Sequence, residues 1–455
     1  MKLALALLPL FALSLYLGRR DGPAVTSGDE PHYLLVTSSA LYDHDLLLAD
    51  DYRRVLQGGL GAGAAFAGNE LDHHTILVDR RTGEHELWQR IYDWTAHEKC
   101  EQPCTPFRRI SPRLQPSPSV VEVPAHPPGF SLLLALLVAP FHPAPAALER
   151  HAAVAIALLS WLAIVLLALA GRRAGLTFAE AIGAALLAGL ASPWLAYSRS
   201  YFAETAIGLG LALALWARLL ARPALAGAAV VLAAALKPPF GLVGVAWAAD
   251  LWLQGRRREA ARLFAVTALG GIAIALFNYR LAHTFVISGT AGFVGAEGPE
   301  SIGVLLFGNA HGLLSFAPWA GVGLWVCARA AAHINVRAPA DTNPGAPADI
   351  GMRAPADTNP RQPPGADSAA RLVAVGLLPV LVLLAATNFP DGGVCYGPRY
   401  WVPFLPWLAL VTVQARRARL AVAVLAAISL AIAIPGALHY RQLFNATSLQ
   451  VLKSY

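Results

Sequence analysis

Charge is scarce in this chain, and the scarcity decides its class. Only 14% of its 455 residues are charged, against 56% hydrophobic, where a soluble chain carries about 25% charged. Mean hydropathy is +0.51. A soluble globular protein is excluded and a polytopic membrane protein implied. The chain also lacks a basic stripe with interleaved aromatics. Its net charge of +7 comes with arginines in short clusters between apolar segments, the pattern of cytoplasmic loops, so nucleic acid is not an expected partner. No small-x-small cleavage site follows the first apolar segment, and Arg19-Arg20 stand where a signal peptide would end. Residues 3–17 are therefore read as a first span behind Met1-Lys2, with a cleaved signal peptide as the rival reading.

Cysteine is sparse too, with four in all. Cys100 and Cys104 flank Glu101-Gln102-Pro103 in an expected outer loop. A disulfide is their preferred state there, and a free or metal-bound pair the alternative. Cys327 is expected to pack in a helix, and nothing beside Cys395 marks it as a nucleophile. The first loop holds His44, His73, His74, His85, His97 and His126. Their spacing matches no zinc motif, and they are read as solvated, except for His126, which opens His126-Pro127-Pro128-Gly129.

What is abundant is apolar sequence in runs near the length of a spanning helix, roughly 20 residues. The expected spans are 3–17, 152–170, 178–195, 205–220, 224–236, 240–253, 263–281, 313–328, 372–386, 402–413 and 420–434. Residues 130–141 are apolar but short, and are read as a re-entrant or interfacial helix. With the N-terminus inside and that segment non-spanning, the clusters at Arg172, Arg218–Arg222, Arg256–Arg262, Arg329–Arg371 and Arg416–Arg419 all fall on the cytoplasmic side. The same topology puts Asp29, Glu204, Lys237, the 283–309 loop and Tyr396–Tyr400 together on the outer face. The expected fold is an all-α polytopic membrane protein of about eleven transmembrane helices. Its long first outer loop, 18–128, carries interfacial helices and a small β-hairpin over 74–78 and 85–91; the glycine-rich 58–68 stretch is an interfacial helix or a flexible lip. Residues 1–330 form the main module and 371–455 the C-terminal helices. Between them, 331–370 contains RAPADTNP twice, at 337–344 and 353–360, and reads as a disordered cytoplasmic linker.

Asp29-Glu30 is the most informative pair. Two adjacent carboxylates where the chain leaves the bilayer are costly unless water or function claims them. Such a place suits a general base working at a membrane edge. A solvated helix end is the bland reading. Glu204 opens a helix, where the dipole favours a carboxylate. Lys237 precedes Pro238-Pro239 and could simply snorkel to the interface. On an outer face that should be poor in cations, however, Lys237 and Arg399 both point to an anion.

Five motifs carry a resemblance: Gly28-Asp29-Glu30-Pro31-His32-Tyr33, His126-Pro127-Pro128-Gly129, Ser192-Pro193-Trp194 with Tyr197-Ser198-Arg199, Leu236-Lys237-Pro238, and Tyr396-Gly397-Pro398-Arg399-Tyr400. In their order the chain resembles the GT-C superfamily of membrane glycosyltransferases, in particular the bacterial relatives of protein O-mannosyltransferases and lipid A aminoarabinose transferases. The likeness spans nearly the whole chain except 331–370. It implies transfer of a sugar from a polyprenyl-phosphate donor to a glycan, lipid or protein acceptor, with the site facing the periplasm or outside of a bacterial membrane. It implies that the first acidic residue of the outer loop, here Asp29, is the base. Glu30 is the companion catalytic candidate and Glu204 a possible second acidic residue. Lys237, Arg399, Tyr396, Tyr400 and His126 are the candidates for the donor and its phosphate. Extra acidic residues in the loop (Asp43, Asp45, Asp50, Asp51) leave the second acidic partner open. A monophosphate leaving group needs no cofactor, and a divalent metal on Asp29 and Glu204 is the minority alternative. The competing class is a transporter or flippase of lipid-linked sugars, although the chain lacks the related repeat halves of transporters.

Overall fold

The computed structural model describes residues 1–20, 29–56, 74–88, 91–92, 107–108, 112–115, 117–287, 300–332, 366–385, 396–439, 443 and 447–453. The Cys100–Cys104 pair, Cys395, the 58–68 stretch and nearly all of the 331–370 linker lie outside the described residues. The linker's expected end does move: a helix already begins at Ala366.

Helices dominate. Those of eight or more residues are α1 (Leu8–Arg20), α2 (Glu30–Ser38), α3 (Ala49–Leu56), α4 (Gly129–Val138), α5 (Leu148–Arg173), α6 (Phe178–Gly189), α7 (Glu204–Leu219), α8 (Pro223–Leu236), α9 (Leu242–Leu253), α10 (Arg257–Ala282), α11 (Glu300–Phe307), α12 (Ala320–Ala332), α13 (Ala366–Ala385), α14 (Leu405–Gln414) and α15 (Arg419–Leu438). Among the described residues four helical segments are long and apolar enough to cross a membrane: Pro145–Arg173, Arg257–Ala282, Ser368–Ala385 and Arg416–Leu438. They mark the chain as membrane-associated. The other expected spans are shorter for visible reasons. Residues 313–328 split into Leu313–Phe316 and α12, because Pro318 cannot donate to a continuing helix. Residues 402–413 begin as a 3-10 run, Arg399–Phe404, containing Pro403, before α14 starts. The 130–141 segment forms α4 and one 3-10 turn, thirteen residues from Gly129 to Phe141, too short to span.

The core is helix on helix. The α7 helix packs between α5 and α8, α8 meets α10, and α14 lies against α6 and α12. Five tryptophans are almost wholly buried: Trp194, Trp247, Trp319, Trp401 and Trp407. Each indole N–H must find an acceptor once water is excluded, and each does so on another segment. Trp194 donates to Ser160 Oγ, Trp247 to Leu372 O, Trp319 to Ala191 O, Trp401 to Leu305 O and Trp407 to Leu211 O. In contrast, α10 exposes Phe264, Leu269, Ile272 and Leu276 by half or more. A contiguous apolar face of that kind is what lipid covers.

A small sheet stands in the first loop. Strands β1 (Thr75–Asp79) and β2 (His85–Trp88) form the expected hairpin, with Gly83 at φ +74° in its turn. Two short strands, β3 (Ile91–Tyr92) and β4 (Phe107–Arg108), pair separately. An unforeseen strand, β5 (Val120–Pro124), adds antiparallel to the free edge of β1 with Thr75 opposite Pro124. The sheet is therefore ordered β2-β1-β5. Its chain exits directly into His126 and α4, so the sheet positions the first loop against the helices.

Candidate active site at the ends of the helices

Asp29 is the N-cap residue of α2, but its side chain makes no capping bond. The carboxylate turns away from the helix. Arg399 donates to Asp29 Oδ2 at 2.8 Å, and His126 Nε2 lies 3.4 Å from Oδ1. The backbone holds this pose locally: Pro31, in the first turn of α2, presets the helical φ, and the Tyr33 amide donates to Asp29 O. The contact from α2 to α4 is made by Ser131 Oγ, which donates to Tyr33 O, and by Thr37 Oγ1, which donates to Ser131 O.

Glu204, the first residue of α7, is buried with its Oε1 shared by two cations. Lys237 Nζ donates to it at 2.7 Å and Arg399 Nε at 2.8 Å. The amide dipoles at the start of α7 add to that stabilisation. Lys237 caps α8 in an extended conformation (φ −151°, ψ 112°) ahead of the 3-10 turn Pro238–Gly241. Its ammonium stands 5.2 Å over the Tyr400 ring. Arg399 opens the 3-10 run, and its guanidinium lies 4.0 Å from the centre of the Phe202 ring, which suits a planar, weakly hydrated cation. The result is one run of charges, Lys237–Glu204–Arg399–Asp29–His126, gathered from five separate segments.

Burial by itself would raise the Asp29 carboxyl. The charges of His126 and then of Arg399 outweigh it and hold the group well below the usual carboxylate range. In this arrangement Asp29 is ionised but a weak base.

The remaining expected residues fall into two kinds. Tyr400 and His126 touch the charged run. Glu30 and Tyr396 instead anchor it. The Glu30 carboxylate, buried, accepts from the Tyr201 amide at 2.7 Å, which ties α2 to the turn before α7. Tyr396 donates through its hydroxyl to Ile432 O, and its own carbonyl accepts from Tyr197. That wedges the turn before Arg399 against α15, where Gly436 leaves room: a Cβ there would sit 1.8 Å from the Tyr396 hydroxyl. Arg399 itself bridges Asp29 and Glu204, the two carboxylates of the metal alternative.

His74 and Phe202 were not among the expected site residues. The His74 ring is 4.4 Å from that of His126 and 5.1 Å from that of His32. Its available signal was the β-branched run Val120-Val121-Glu122-Val123: pairing that strand with β1 places residue 74 opposite 125. Phe202 sits in the Tyr197–Glu204 stretch but had no distinguishing mark. Cys327 is buried in α12, as expected. No family profile, curated protein or solved structure matches this chain.

Proposed function

We propose that this protein is a membrane glycosyltransferase of the GT-C type, with about eleven spans. It transfers a sugar from a polyprenyl-phosphate donor to a glycan, lipid or protein acceptor at the outer face of the membrane. The observation that carries the reading is the run Lys237–Glu204–Arg399–Asp29, in which two cations and a carboxylate base converge at helix ends.

The chemistry asks for three things: a base for the acceptor, positive charge on the departing phosphate, and alignment. The acceptor hydroxyl gives its proton to Asp29 as its oxygen bonds to the sugar's anomeric carbon. The bond from that carbon to the phosphate oxygen breaks, and the lipid phosphate leaves with the electron pair. Arg399 and Lys237 neutralise it, the guanidinium by a two-pronged contact and the ammonium as a point charge. Tyr400 braces Lys237, and His126 lies against Asp29. Each cation already has a carboxylate partner, so the donor phosphate binds by exchange. As Arg399 shifts its donors to phosphate, Asp29 loses one of the charges that suppress its basicity, with His126 still beside it. Donor binding thus readies the base.

The test is purified protein in liposomes with a polyprenyl-phosphate donor carrying a labelled sugar. Label should appear in an acceptor product, and Asp29→Asn should cut turnover by about 10²–10⁴-fold. Arg399→Ala should lower both donor affinity and turnover, and Arg399→Lys should recover only part, because the fork is lost. Near wild-type turnover in Asp29→Asn would remove it as the base. Label that crosses the bilayer without entering a product would favour the transporter.

A further inference from the structure

We propose that Asp29, His74 and His126 form a site for one divalent transition cation of the zinc class. The site is independent of the sugar-transfer reading, because it concerns what these three side chains bind, whatever reaction the protein performs.

Their ligand atoms, one from each residue, all lie within 4.8 Å of one another. The separation of His126 Nε2 and Asp29 Oδ1 is informative. At 3.4 Å it is long for a charge-assisted hydrogen bond, which runs about 2.7–2.9 Å. It matches the edge of a tetrahedron: two ligands each about 2.0–2.1 Å from a zinc ion stand about 3.3–3.4 Å apart. His126 Nε2 is also buried, and beyond this long approach to Asp29 it has no hydrogen-bond partner among the described residues, a condition that a buried ring nitrogen rarely tolerates. The remaining ligand atom, on His74, lies within the same 4.8 Å, and His74 immediately precedes β1.

The donor set selects the metal. Two imidazoles and one carboxylate suit zinc and its neighbours, whereas magnesium and calcium take oxygen ligands. Three protein ligands leave a fourth position, and a small cavity lined by His32, Tyr33, His74, His126 and Ser131 adjoins it. Second-sphere support is present. Arg399 binds the other carboxylate oxygen of Asp29, Oδ2, so Oδ1 can face the metal. The Tyr52 hydroxyl accepts from the His74 amide at 3.3 Å and hydrogen-bonds His32 Nδ1 at 2.7 Å, holding the histidine segment in place. The three ligands come from the start of α2, the start of β1 and the residues after β5. A bound ion would pin the sheet to the helices. It would also engage Oδ1 of Asp29, so on the transferase reading excess zinc inhibits by occupying the base.

The experiment uses the full chain in detergent, stripped with chelator, without donor or acceptor. Zinc titrated by calorimetry should bind with one high-affinity site per chain that millimolar magnesium does not displace. Cobalt substitution should give the intense visible bands of a tetrahedral ion. X-ray absorption at the zinc edge should find nitrogen and oxygen ligands only. His74→Ala and His126→Ala should each weaken binding by at least about 10-fold, while His142→Ala should not. Retained affinity in the His74/His126 double variant would overturn the proposal. So would sulfur at about 2.3 Å in the wild-type absorption spectrum, a measurement that stands even if the variants fold poorly.

Discussion

A single oxygen of Glu204 accepts from both Lys237 and Arg399, and Arg399 continues to Asp29. Residue by residue, the site is a balance of buried charges that a second anion can tip. The neighbouring loop shows the opposite case at Asp51, which is fully buried and only partly compensated. Burial pushes its carboxyl up to about 7, against the lowering influence of Ser39 and Arg54 and with the help of Asp43 and Asp50. The sign follows from linkage. Between the ordinary carboxylate value and pH 7 the folded chain keeps a proton that the unfolded chain releases, so stability falls as pH rises through that window. The effect is complete above about pH 7. Its limit is on the order of 4 kcal/mol. Protection of the α3 amides, taken relative to the intrinsic exchange rate at each pH, should therefore fall from pH 4 to 7 and then level off. Asp51→Asn should flatten that slope; an unchanged slope would place the titration elsewhere.

At the scale of elements, the distance between the two halves of the site is set by α4 against α8. Gly129 opens α4 three residues after His126, and a Cβ there would lie 2.2 Å from Ala235 O, two residues before Lys237. Even alanine must push the helices apart. Overpacking of this kind costs about 1–3 kcal/mol, and here it would also separate the base from the phosphate-binding lysine. Gly129→Ala should lower the unfolding temperature and weaken donor binding. Gly183, in α6, has nothing within 4 Å of its Cβ position, so Gly183→Ala should be neutral or slightly stabilising by helix propensity. Equal effects of the two substitutions would refute the close-packing argument.

For the whole molecule, the arginine clusters and the charged run belong to opposite ends of the bundle in the proposed topology. Thr82, in the β1–β2 turn, and Arg258, in the first turn of α10, are both exposed. Single cysteines at these positions, in a background without the native four, report the sides directly. In sealed vesicles an impermeant maleimide should label Thr82→Cys and Arg258→Cys from opposite faces. Labelling of both from the same face would overturn the topology and with it the placement of the site at the outer surface.

Composition alone decided that this chain belongs with membranes, because burying so little charge and so much apolar surface has no other economical solution. Local chemistry in the sequence also marked Asp29, Glu204, Lys237 and Arg399: charges beside prolines at the ends of apolar runs are conspicuous without any structure. The β1–β2 hairpin was legible from alternation and a turn glycine. Three things were not. β5 joined the sheet from more than forty residues away, and pairing at that range depends on which edges remain open. Helix lengths fell short of the apolar runs where Pro318 and Pro403 broke them. The different partners of Asp29 and Glu30 depended on direction. One carboxylate turned to Arg399 and its neighbour to the Tyr201 amide, and adjacent residues at a helix start diverge by about 100°, so only the packing of α2 against the rest could choose between them. His74 belongs with these, since the register of a strand pair, not its own neighbours in sequence, brought its ring to His126.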